Sequence, residues 1–550
     1  MPRLRNKSVV SDGSLWISLN AAAVSLAVLL VLGLLLLVAS KGLAHFWPKA
    51  LIEFEYSKSD GSPALIIGQA VRSEPVPPSI KNTAPGMAEE EQRLLVKVAN
   101  RDLDGDDFRW LLKGRINSRA APQELVVLER QQWGQFYGRF VSFRRAAQSL
   151  DGEIGWAEFL RSLDENRRLL GEIRKLENTA VGRVNYRLEK NRLALRRLDL
   201  DGVEDPEQRA ALKWEREGLD AEYRELEAAL TDLYGQARRD RVTFETADGR
   251  PVTMELADIV DAWKPNAMSW PQQLGHFLAR VFYFLSAEPR EANTEGGIFP
   301  AIFGTVLMVL LMTIVVAPFG VVAAVYLSEY AKQNFFTRVI RVTISNLAGV
   351  PSIVYGVFGL GIFVYTIGGG IDRLFYEPAL PAPTFGTGGL LWASLTLALL
   401  TLPVVIVSTE EGLSRIPRDI REGSLALGAT RWEMLRGTVL PMASPGIITG
   451  LILAVARAAG EVAPLMLVGV VKLAPSLPVD GNFPFFHLER KFMHLGFHIY
   501  DVGLQSPNVE ATKPVVFATA FFLILVVLVL NLVALNVRSS LSRQNKGLGS

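Results

Sequence analysis

The sequence has no cysteine, and positive and negative charges almost cancel over its 550 residues. The lack of cysteine excludes disulfides, thiolate zinc sites, iron–sulfur clusters and thiol nucleophiles. The 58 Lys and Arg residues against 56 Asp and Glu give a net charge of +2, which lacks the basic excess typical of nucleic-acid binding, so we expect no nucleic-acid partner. No GxxxxGK[ST] or HExxH motif occurs. We therefore expect no metal site and no cofactor on this chain, and any ATP must bind to another chain.

Charge is also missing from several long stretches. Each is long enough to cross about 30 Å of hydrocarbon at roughly 1.5 Å per residue. A sixth stretch, 437–471, is as apolar but contains Arg457 and Glu461. Together they predict six transmembrane helices. The five uncharged stretches are 13–40, 296–328, 342–371, 378–409 and 514–537.

The basic residues predict how these helices are oriented. The first apolar stretch is too long for the core of a signal peptide, and no small-residue cleavage site follows it, so we expect a retained anchor. Arg3, Arg5 and Lys7 precede it and should stay in the cytoplasm, and the later basic loops fall on the same side. Both termini are then cytoplasmic. The predicted parts are the N-terminus with helix 1, an insert across the membrane, a core of five helices, and a cytoplasmic tail, at 1–40, 41–295, 296–540 and 541–550.

The insert carries patterns of strands and of helices. Runs rich in β-branched and aromatic residues flank Asp60-Gly61 and Asp248-Gly249, which predicts two β-hairpins. Over about 155–237, charges of both signs alternate with leucines at three- and four-residue steps, which predicts an antiparallel helical hairpin. The predicted fold class is therefore an all-α polytopic membrane protein with a large α+β insert between helices 1 and 2.

Arg457 and Glu461 are the strongest candidates for a functional site. Four residues apart on one predicted helix, they share a face and can pair. Ionisable groups inside the membrane are costly and usually mark a water-filled path or a substrate site, and a guanidinium matches an oxyanion. The pattern favours an anionic substrate. The alternative is a structural ion pair that holds two helices together.

The loop 409–441 is the second candidate. Its sequence around Glu422 predicts a short helix that ends at Gly428, and Thr430 with Glu433 forms a capping box that opens a second helix ending before Pro441. Two short helices between membrane spans would form a lever on which a cytoplasmic partner could push. A merely structural elbow at the membrane surface is the alternative.

Two spans contain predicted interruptions, at Pro318 and at Pro351-Ser352. A proline inside a membrane helix frees a carbonyl group, and transporters place such breaks near the substrate path. Kinks without chemistry are about as common. His494 and His498 stand four residues apart, but no further ligand pattern supports a metal site there.

The loop residues themselves suggest a family. Glu422, Gly428 and Leu440-Pro441 match the spacing of the EAA loop of type I ABC permeases, with Gly423-Ser424 in place of the usual pair of alanines. Further motifs narrow the match. With these motifs taken together, the chain resembles PstA-type permeases of the phosphate-specific ABC importer, in an extended proteobacterial form. The motifs are Asn293-Thr294-Glu295-Gly296-Gly297, Pro351-Ser352-Ile353-Val354 and the segment 456–465.

The resemblance implies a type I permease fold in the bacterial inner membrane, with the insert in the periplasm. It implies a PstC-type permease as heterodimer partner, a PstB-type ATPase dimer that binds ATP and Mg²⁺, and a periplasmic phosphate-binding protein. Inorganic phosphate and membrane lipid complete the expected partners. The implied substrate path contains Arg457, Glu461 and Ser352. The implied ATPase-coupling residues are Glu422, Gly423, Ser424, Ala426, Leu427, Gly428 and Ala429.

The predicted function is thus the permease subunit of an ATP-driven phosphate importer that works by alternating access, with no enzymatic activity of its own. Two alternatives remain at this stage. Arg457 alone does not select among anions, so a permease for another oxyanion, such as sulfate or molybdate, fits the same residues. A membrane sensor that signals through the insert is the other alternative, although the predicted cytoplasmic segments are only short loops.

Overall fold

The computed structural model describes residues 14–58, 60–77, 92–145, 148–506 and 508–546. The predicted basic flank at Arg3, Arg5 and Lys7 and the end of the predicted tail 541–550 lie outside the described residues. Helices make up most of the described chain, and its strands all lie between the first two long apolar helices or immediately before the second.

Six helices in the described residues are long and apolar enough to cross a membrane. Their number agrees with the six apolar stretches of the sequence. They are Trp16–Leu43, Phe299–Tyr330, Ser352–Phe375, Leu390–Ser414, Arg431–Gly460 and Val509–Ser539.

Several of these spans contain more than one helical segment, because wider π-helical turns interrupt the regular α-helix. Such turns lie at Tyr326–Tyr330, Gly359–Gly368 and Leu435–Val439. The α-helices are α1 Ser14–Leu43, α2 Arg101–Asp104, α3 Gly152–Leu176, α4 Gly182–Leu200, α5 Pro206–Ala237, α6 Trp270–Ser286, α7 Phe299–Val325, α8 Phe335–Leu347, α9 Ser352–Phe358, α10 Gly369–Phe375, α11 Leu390–Ser414, α12 Arg418–Ala426, α13 Arg431–Met434, α14 Leu440–Gly460, α15 Leu465–Val468, α16 Leu495–Tyr500 and α17 Val509–Lys546.

The apolar core of the spans forms around α11, which packs against α7 and α14. Met308, Leu397 and Ala454 are fully buried between these helices. Gly412 and Gly446 let α11 and α14 approach closely, since a Cβ atom on Gly446 would lie 2.7 Å from the Gly412 Cα. Small residues at such a crossing are typical of helices that pack inside a membrane. By contrast, α1 packs beside α17 and leaves most of its apolar surface exposed.

Three details of the spans differ from the sequence predictions. The second helix of the loop 409–441 does not end before Pro441 but continues into the fifth span, because the wide π turn before Pro441 leaves space for its ring and needs no amide hydrogen there. The fifth span ends at Gly460 rather than near residue 471. Pro318 lies inside a continuous helix, whereas the chain does break before Ser352.

The residues between α1 and α7 contain two antiparallel sheets and a helical hairpin. The strands are β1 Ile52–Ser57, β2 Pro63–Pro75, β3 Gln92–Lys97, β4 Phe108–Leu112, β5 Ile116–Ala120, β6 Leu125–Arg130, β7 Gln135–Arg145, β8 Gln148–Asp151, β9 Arg241–Glu245, β10 Pro251–Glu255, β11 Ile259–Trp263, β12 Pro289–Arg290 and β13 Glu295–Gly296. One sheet has the strand order β4-β3-β2-β1-β5, and the other has β10-β9-β7-β6-β11, with β8 paired to β7. Each sheet buries one apolar face, and Leu51, Tyr137 and Trp263 lie in the core that they share.

Both predicted β-hairpins are present. Phe54 pairs with Ile66 across the first turn, and Phe244 pairs with Val252 across the second. The helices α3 and α4 run together through a π turn and pack against α5, where the sequence predicts a hairpin over about 155–237. This hairpin reaches the loops of the membrane core, since the Tyr186 hydroxyl donates to the Phe483 carbonyl at 2.6 Å.

Candidate functional site

Arg457 lies in the last turn of α14, and Glu461 is the first residue after that helix. Their Nε and Oε1 atoms are 3.4 Å apart, so the predicted pair forms. It does not form on one helix as predicted, because Glu461 has an extended backbone. Pro464 explains the helix end: it has no N–H for the Gly460 carbonyl, and its ring would clash with that group.

The Arg457 side chain is about a third exposed, 33%, and has free hydrogen-bonding capacity. Glu461 contacts only its Nε atom, and no other hydrogen bond from the guanidinium is found among the described residues. The two Nη groups therefore keep their donors unused within the described residues, and a guanidinium presents such donors in a planar fork that suits an oxyanion. The C-terminal end of α14 also favours a cation at this position through the helix dipole.

The break before Ser352 lies close to this pair. Gly356 on α9 packs against Pro464, where a Cβ atom would lie only 2.7 Å from the Pro464 Cα. One residue earlier, Tyr355 interacts electrostatically with Arg457, and its hydroxyl donates to the Leu347 carbonyl at 2.7 Å. Ser352 is half-buried at the start of the same helix. In the described structure no hydrogen bond joins Ser352 to the ion pair.

The surface around the pair is apolar and open in the single chain. Val354 and Val357 on α9 are 50% and 60% exposed, and Leu453 on α14 is 52% exposed. A third-exposed arginine beside such residues is costly in lipid hydrocarbon. This face is better suited to another membrane protein or to a water-filled passage than to lipid chains.

The end of the first loop helix and the start of the second lie where the sequence predicts them. Helix α12 ends at Ala426, and Gly428 follows with φ +88°, a conformation that glycine adopts without steric cost. The capping box is confirmed: the Thr430 N–H donates to Glu433 at 2.8 Å, and the Glu433 N–H donates back to the Thr430 hydroxyl at 3.3 Å.

This loop is anchored on one side and free on the other. Arg421 forms an ion pair with Glu329 at 3.0 Å and also donates to the Leu413 carbonyl at 2.8 Å. Glu422 is exposed, and Leu427 has 91% of its surface exposed. An apolar side chain so fully exposed beside a rigid turn is a surface that a partner protein can cover. The other residues implied in ATPase coupling are Gly423, Ser424, Ala426, Gly428 and Ala429, all within or directly after α12.

A second charged cluster, which no sequence pattern indicated, lies in the insert and joins its sheet to the segment that leads into the second span. Glu129 on β6 is 4% exposed and binds both Arg280 on α6 and Arg290 on β12. Burial alone would raise the pKa of Glu129, but the two guanidinium groups outweigh it and lower that pKa. These residues lie 151 and 161 positions apart, so no local spacing could indicate the cluster.

The two histidines do not form a metal site in the described residues, in which no cluster of potential ligands occurs. His494 caps α16, where its Nδ1 accepts from the Gly496 N–H at 3.1 Å, and His498 is buried one turn later. Burial lowers the pKa of His494 to about 3 and that of His498 to about 4. Both are therefore neutral at physiological pH.

Comparison with known proteins identifies the class. The model of the family "Binding-protein-dependent transport system inner membrane component" matches residues 316–543. The chain is 34% identical to phosphate transport system permease protein PstA 1 of Mycobacterium tuberculosis over 251 residues, which are 46% of this chain and 72% of that protein. It is 33% identical to the probable ABC transporter permease YqgH of Bacillus subtilis over 198 residues, 36% of this chain and 60% of that protein.

The chain also resembles a solved structure of the MetNI methionine ABC transporter in an inward-facing conformation. The identity is 18%, the TM-score is 0.32, and the alignment covers 44% of this chain and 97% of the other. From the family model and the relatives, the protein is a permease subunit of a binding-protein-dependent transport system, with six apolar helices in the inner membrane. Within that class the chain belongs to the PstA-type ABC permeases.

Proposed function

We propose that this chain is one half of the membrane channel of an ATP-driven importer of inorganic phosphate. The observation that carries the proposal is the third-exposed Arg457, whose guanidinium keeps free donors beside a broken helix. The relatives of the chain include phosphate permeases. Phosphate leaves bulk water with a charge of about −1 to −2, and taking such an ion from water costs several kcal/mol. A fixed cation in the path offsets part of that cost.

In this proposal Arg457, Glu461 and Ser352 line the substrate path. Arg457 binds the anion, and Glu461 holds the guanidinium while weakening its net attraction so that the anion can leave. Ser352, at the break one turn before Tyr355, supplies a hydroxyl on the neighbouring helix. A second permease of the PstC type covers the apolar face of α9 and α14, and access alternates between the two sides of the membrane.

The loop around Glu422 to Ala429 couples the path to an ATPase of the PstB type, which binds ATP and Mg²⁺. Support comes from the exposed Leu427 beside the rigid Gly428 turn, and from the anchoring of Arg421 on Glu329. ATP binding closes the ATPase dimer, and the anchored helix α12 transmits that movement to the fourth and fifth spans.

The proposed orientation places both termini in the cytoplasm and the insert, 41–295, in the periplasm as a separate domain, where a phosphate-binding protein delivers the substrate. Two sheets packed on one core, with a helical hairpin that contacts an outer loop at Phe483, suit such a location. The core 296–540 and the tail 541–550 complete the proposed division.

The complex reconstituted in liposomes tests the proposed substrate. We expect phosphate, with its binding protein, to stimulate ATP hydrolysis, whereas sulfate and molybdate with the same components do not. Stimulation by sulfate or molybdate at the same level would support a permease for another oxyanion instead. A sensor that signals through the insert would show no ion transport at all.

Glu461→Gln is expected to make phosphate bind tighter and leave more slowly. The substitution removes a negative charge 3.4 Å from the guanidinium, so that the positive charge of Arg457 attracts the anion without a competing carboxylate. Uptake assays should show a half-saturating concentration at least tenfold lower and a lower maximal rate. Glu189→Gln, in an exposed ion pair with Arg192, is the control. Unchanged transport in Glu461→Gln would contradict the role given to the carboxylate.

Gly428→Ala is expected to uncouple ATP hydrolysis from transport. Alanine at φ +88° costs about 1–2 kcal/mol, so the turn after α12 should rearrange and the phosphate-stimulated ATPase rate should fall about tenfold. Gly437→Ala is the matched control, because Gly437 has equal free space and no positive φ. Equal rates in the two variants would argue against a coupling role for this turn.

A further inference from the structure

A cavity of about 750 Å³ lies where the insert meets the membrane core, and neither Arg457 nor Glu461 lines it. Its walls come from the ends of α1 and α6, the segment 289–297, and the start of α17. The volume lies in the range of sites for small molecules, roughly 300–1,000 Å³. The function proposed above does not use it.

The charged groups around this cavity balance in number. Five basic and five acidic side chains line it, so the cavity has no net charge that would favour a simple anion or a simple cation. The basic residues are Lys97, Arg101, Arg280, Arg290 and Lys472, and the acidic residues are Asp107, Glu129, Glu291, Glu295 and Asp501.

Several buried oxygen atoms of residues that line the cavity have no hydrogen-bond donor in the described structure. Asn293 and Asp501 are each 1% exposed, and the Oδ1 atom of each is without a partner. The buried Oε2 atom of Glu295 likewise has none. A buried acceptor without a donor costs about 1–3 kcal/mol. A ligand that brings several N–H donors to one atom, as a primary ammonium does, would satisfy these oxygens.

Donors with spare capacity line the same cavity. The Lys97 ammonium has three N–H groups, and one of them donates to Gln135 Oε1 at 2.9 Å. The buried Nε of Arg290 has no acceptor in the described structure. Lys97 and Glu295 interact electrostatically, but among the described residues they form no ion pair within 4.0 Å. A ligand can therefore lie between them.

The surroundings oppose the charged form of both groups. The pKa of Glu295 is raised to about 7, mainly by burial and also by the charges of Glu129 and Glu291, while Lys97 and Arg290 oppose the rise. Burial likewise lowers the pKa of Lys97. A ligand ammonium beside Glu295 and a ligand oxyanion beside Lys97 would each reverse the unfavourable effect of burial.

We propose that this cavity binds a small zwitterion, with its primary ammonium on Glu295 and the neighbouring oxygens of Asn293 and Asp501, and its oxyanion on Lys97. The ligand is either a free molecule or the headgroup of phosphatidylethanolamine, because both carry this pair of groups. The apolar side chains of Phe46, Phe284 and Val515 also line the cavity. They leave room for a short hydrocarbon part.

Calorimetric titration of the purified full-length protein in maltoside detergent with O-phosphoethanolamine tests the proposal. We expect saturable binding that Glu295→Gln and Lys97→Met each weaken at least tenfold. Glu288→Gln is the matched control, since Glu288 is exposed in the same segment and does not line the cavity. Phosphocholine, whose nitrogen has no N–H, and inorganic phosphate should both bind at least tenfold more weakly. Glu295→Gln keeps the size of the side chain, so its result stands even if Lys97→Met fails to fold.

Nanodiscs of phosphatidylethanolamine and nanodiscs of phosphatidylcholine distinguish a lipid headgroup from a free molecule as the ligand. If phosphatidylethanolamine is the ligand, native mass spectrometry should find it retained by the protein, lost in both variants, and in competition with phosphoethanolamine. If the ligand is a free molecule, phosphoethanolamine should bind equally in phosphatidylethanolamine and phosphatidylcholine discs. The proposal is overturned if inorganic phosphate displaces phosphoethanolamine from the site that depends on Glu295 and Lys97 as well as phosphoethanolamine displaces itself. It is also overturned if both cavity variants bind like the unmodified protein, or if neither the probe nor the lipid binds.

Discussion

Cells that carry Arg457→Gln are expected to lose phosphate uptake while the transport complex still assembles. Glutamine keeps hydrogen-bonding groups at the end of α14 but removes the positive charge. A barrier raised by about 3 kcal/mol, within the several kcal/mol that an ion loses on leaving water, corresponds to a rate more than 100-fold lower. Uptake of labelled phosphate should therefore fall to near background.

The control for Arg457→Gln is Arg192→Gln. Arg192 forms an exposed ion pair with Glu189 on the helical hairpin, and such pairs contribute at most about 1 kcal/mol. Phosphate uptake by cells that carry Arg192→Gln should be normal. Membrane abundance and co-purification of the ATPase must be measured for both variants. If Arg457→Gln abolishes assembly as well as uptake, the pair with Glu461 is structural, and the anion site must be sought on the second permease.

The parts of the fold that the sequence predicted well are those specified by neighbouring residues. An uncharged run of 24 or more residues is itself a membrane span, and the Asp60-Gly61 and Asp248-Gly249 turns join strands that pair directly across them. The capping box of Thr430 and Glu433 is likewise complete within four residues. In each case the residues that form the element are close together in the sequence, within the pattern that predicts the element.

The end of the fifth span shows where pattern alone fails. The apolar run continues to residue 471, so hydropathy predicts a longer helix, yet Pro464 ends it at Gly460. That early end leaves Arg457 in the last helical turn rather than in the middle of a span. Proline three residues after a charged pair was the available signal. Pro441 and Pro318, by contrast, lie within continuous helical spans.

The junction formed by Glu129, Arg280 and Arg290 could not be predicted, because its carboxylate lies 151 and 161 residues before its two arginines in the chain. Glu129 contributes from β6, Arg280 from an amphipathic helix, and Arg290 from the strand before the second span. Each alone looks like an ordinary charged residue. Only the fold brings two cations to one buried carboxylate, and the adjoining cavity is a consequence of the same junction.

Glu129→Gln is accordingly expected to loosen the sheet of the insert from the segment that leads into the second span. The carboxylate is 4% exposed, so its removal leaves two guanidinium groups in a buried place with no countercharge. Breaking a buried ion pair in this way costs about 3–5 kcal/mol. Hydrogen exchange in the segment 289–297 should become faster, and thermal unfolding of the purified protein should begin at a lower temperature.

Glu124→Gln is the control for Glu129→Gln, because it removes a carboxylate that is exposed rather than buried. Glu124 pairs with Arg139 at 3.1 Å but is 67% exposed, and a surface pair contributes only about 0–1 kcal/mol. Hydrogen exchange and thermal unfolding of the Glu124→Gln variant should match those of the unmodified protein. The double variant Glu129→Gln with Arg280→Met should then be less destabilised than the sum of its two single variants, because it removes one of the uncompensated charges. Strict additivity would mean that the buried charges do not hold the junction together, and apolar packing around Phe284 and Phe46 would have to account for it.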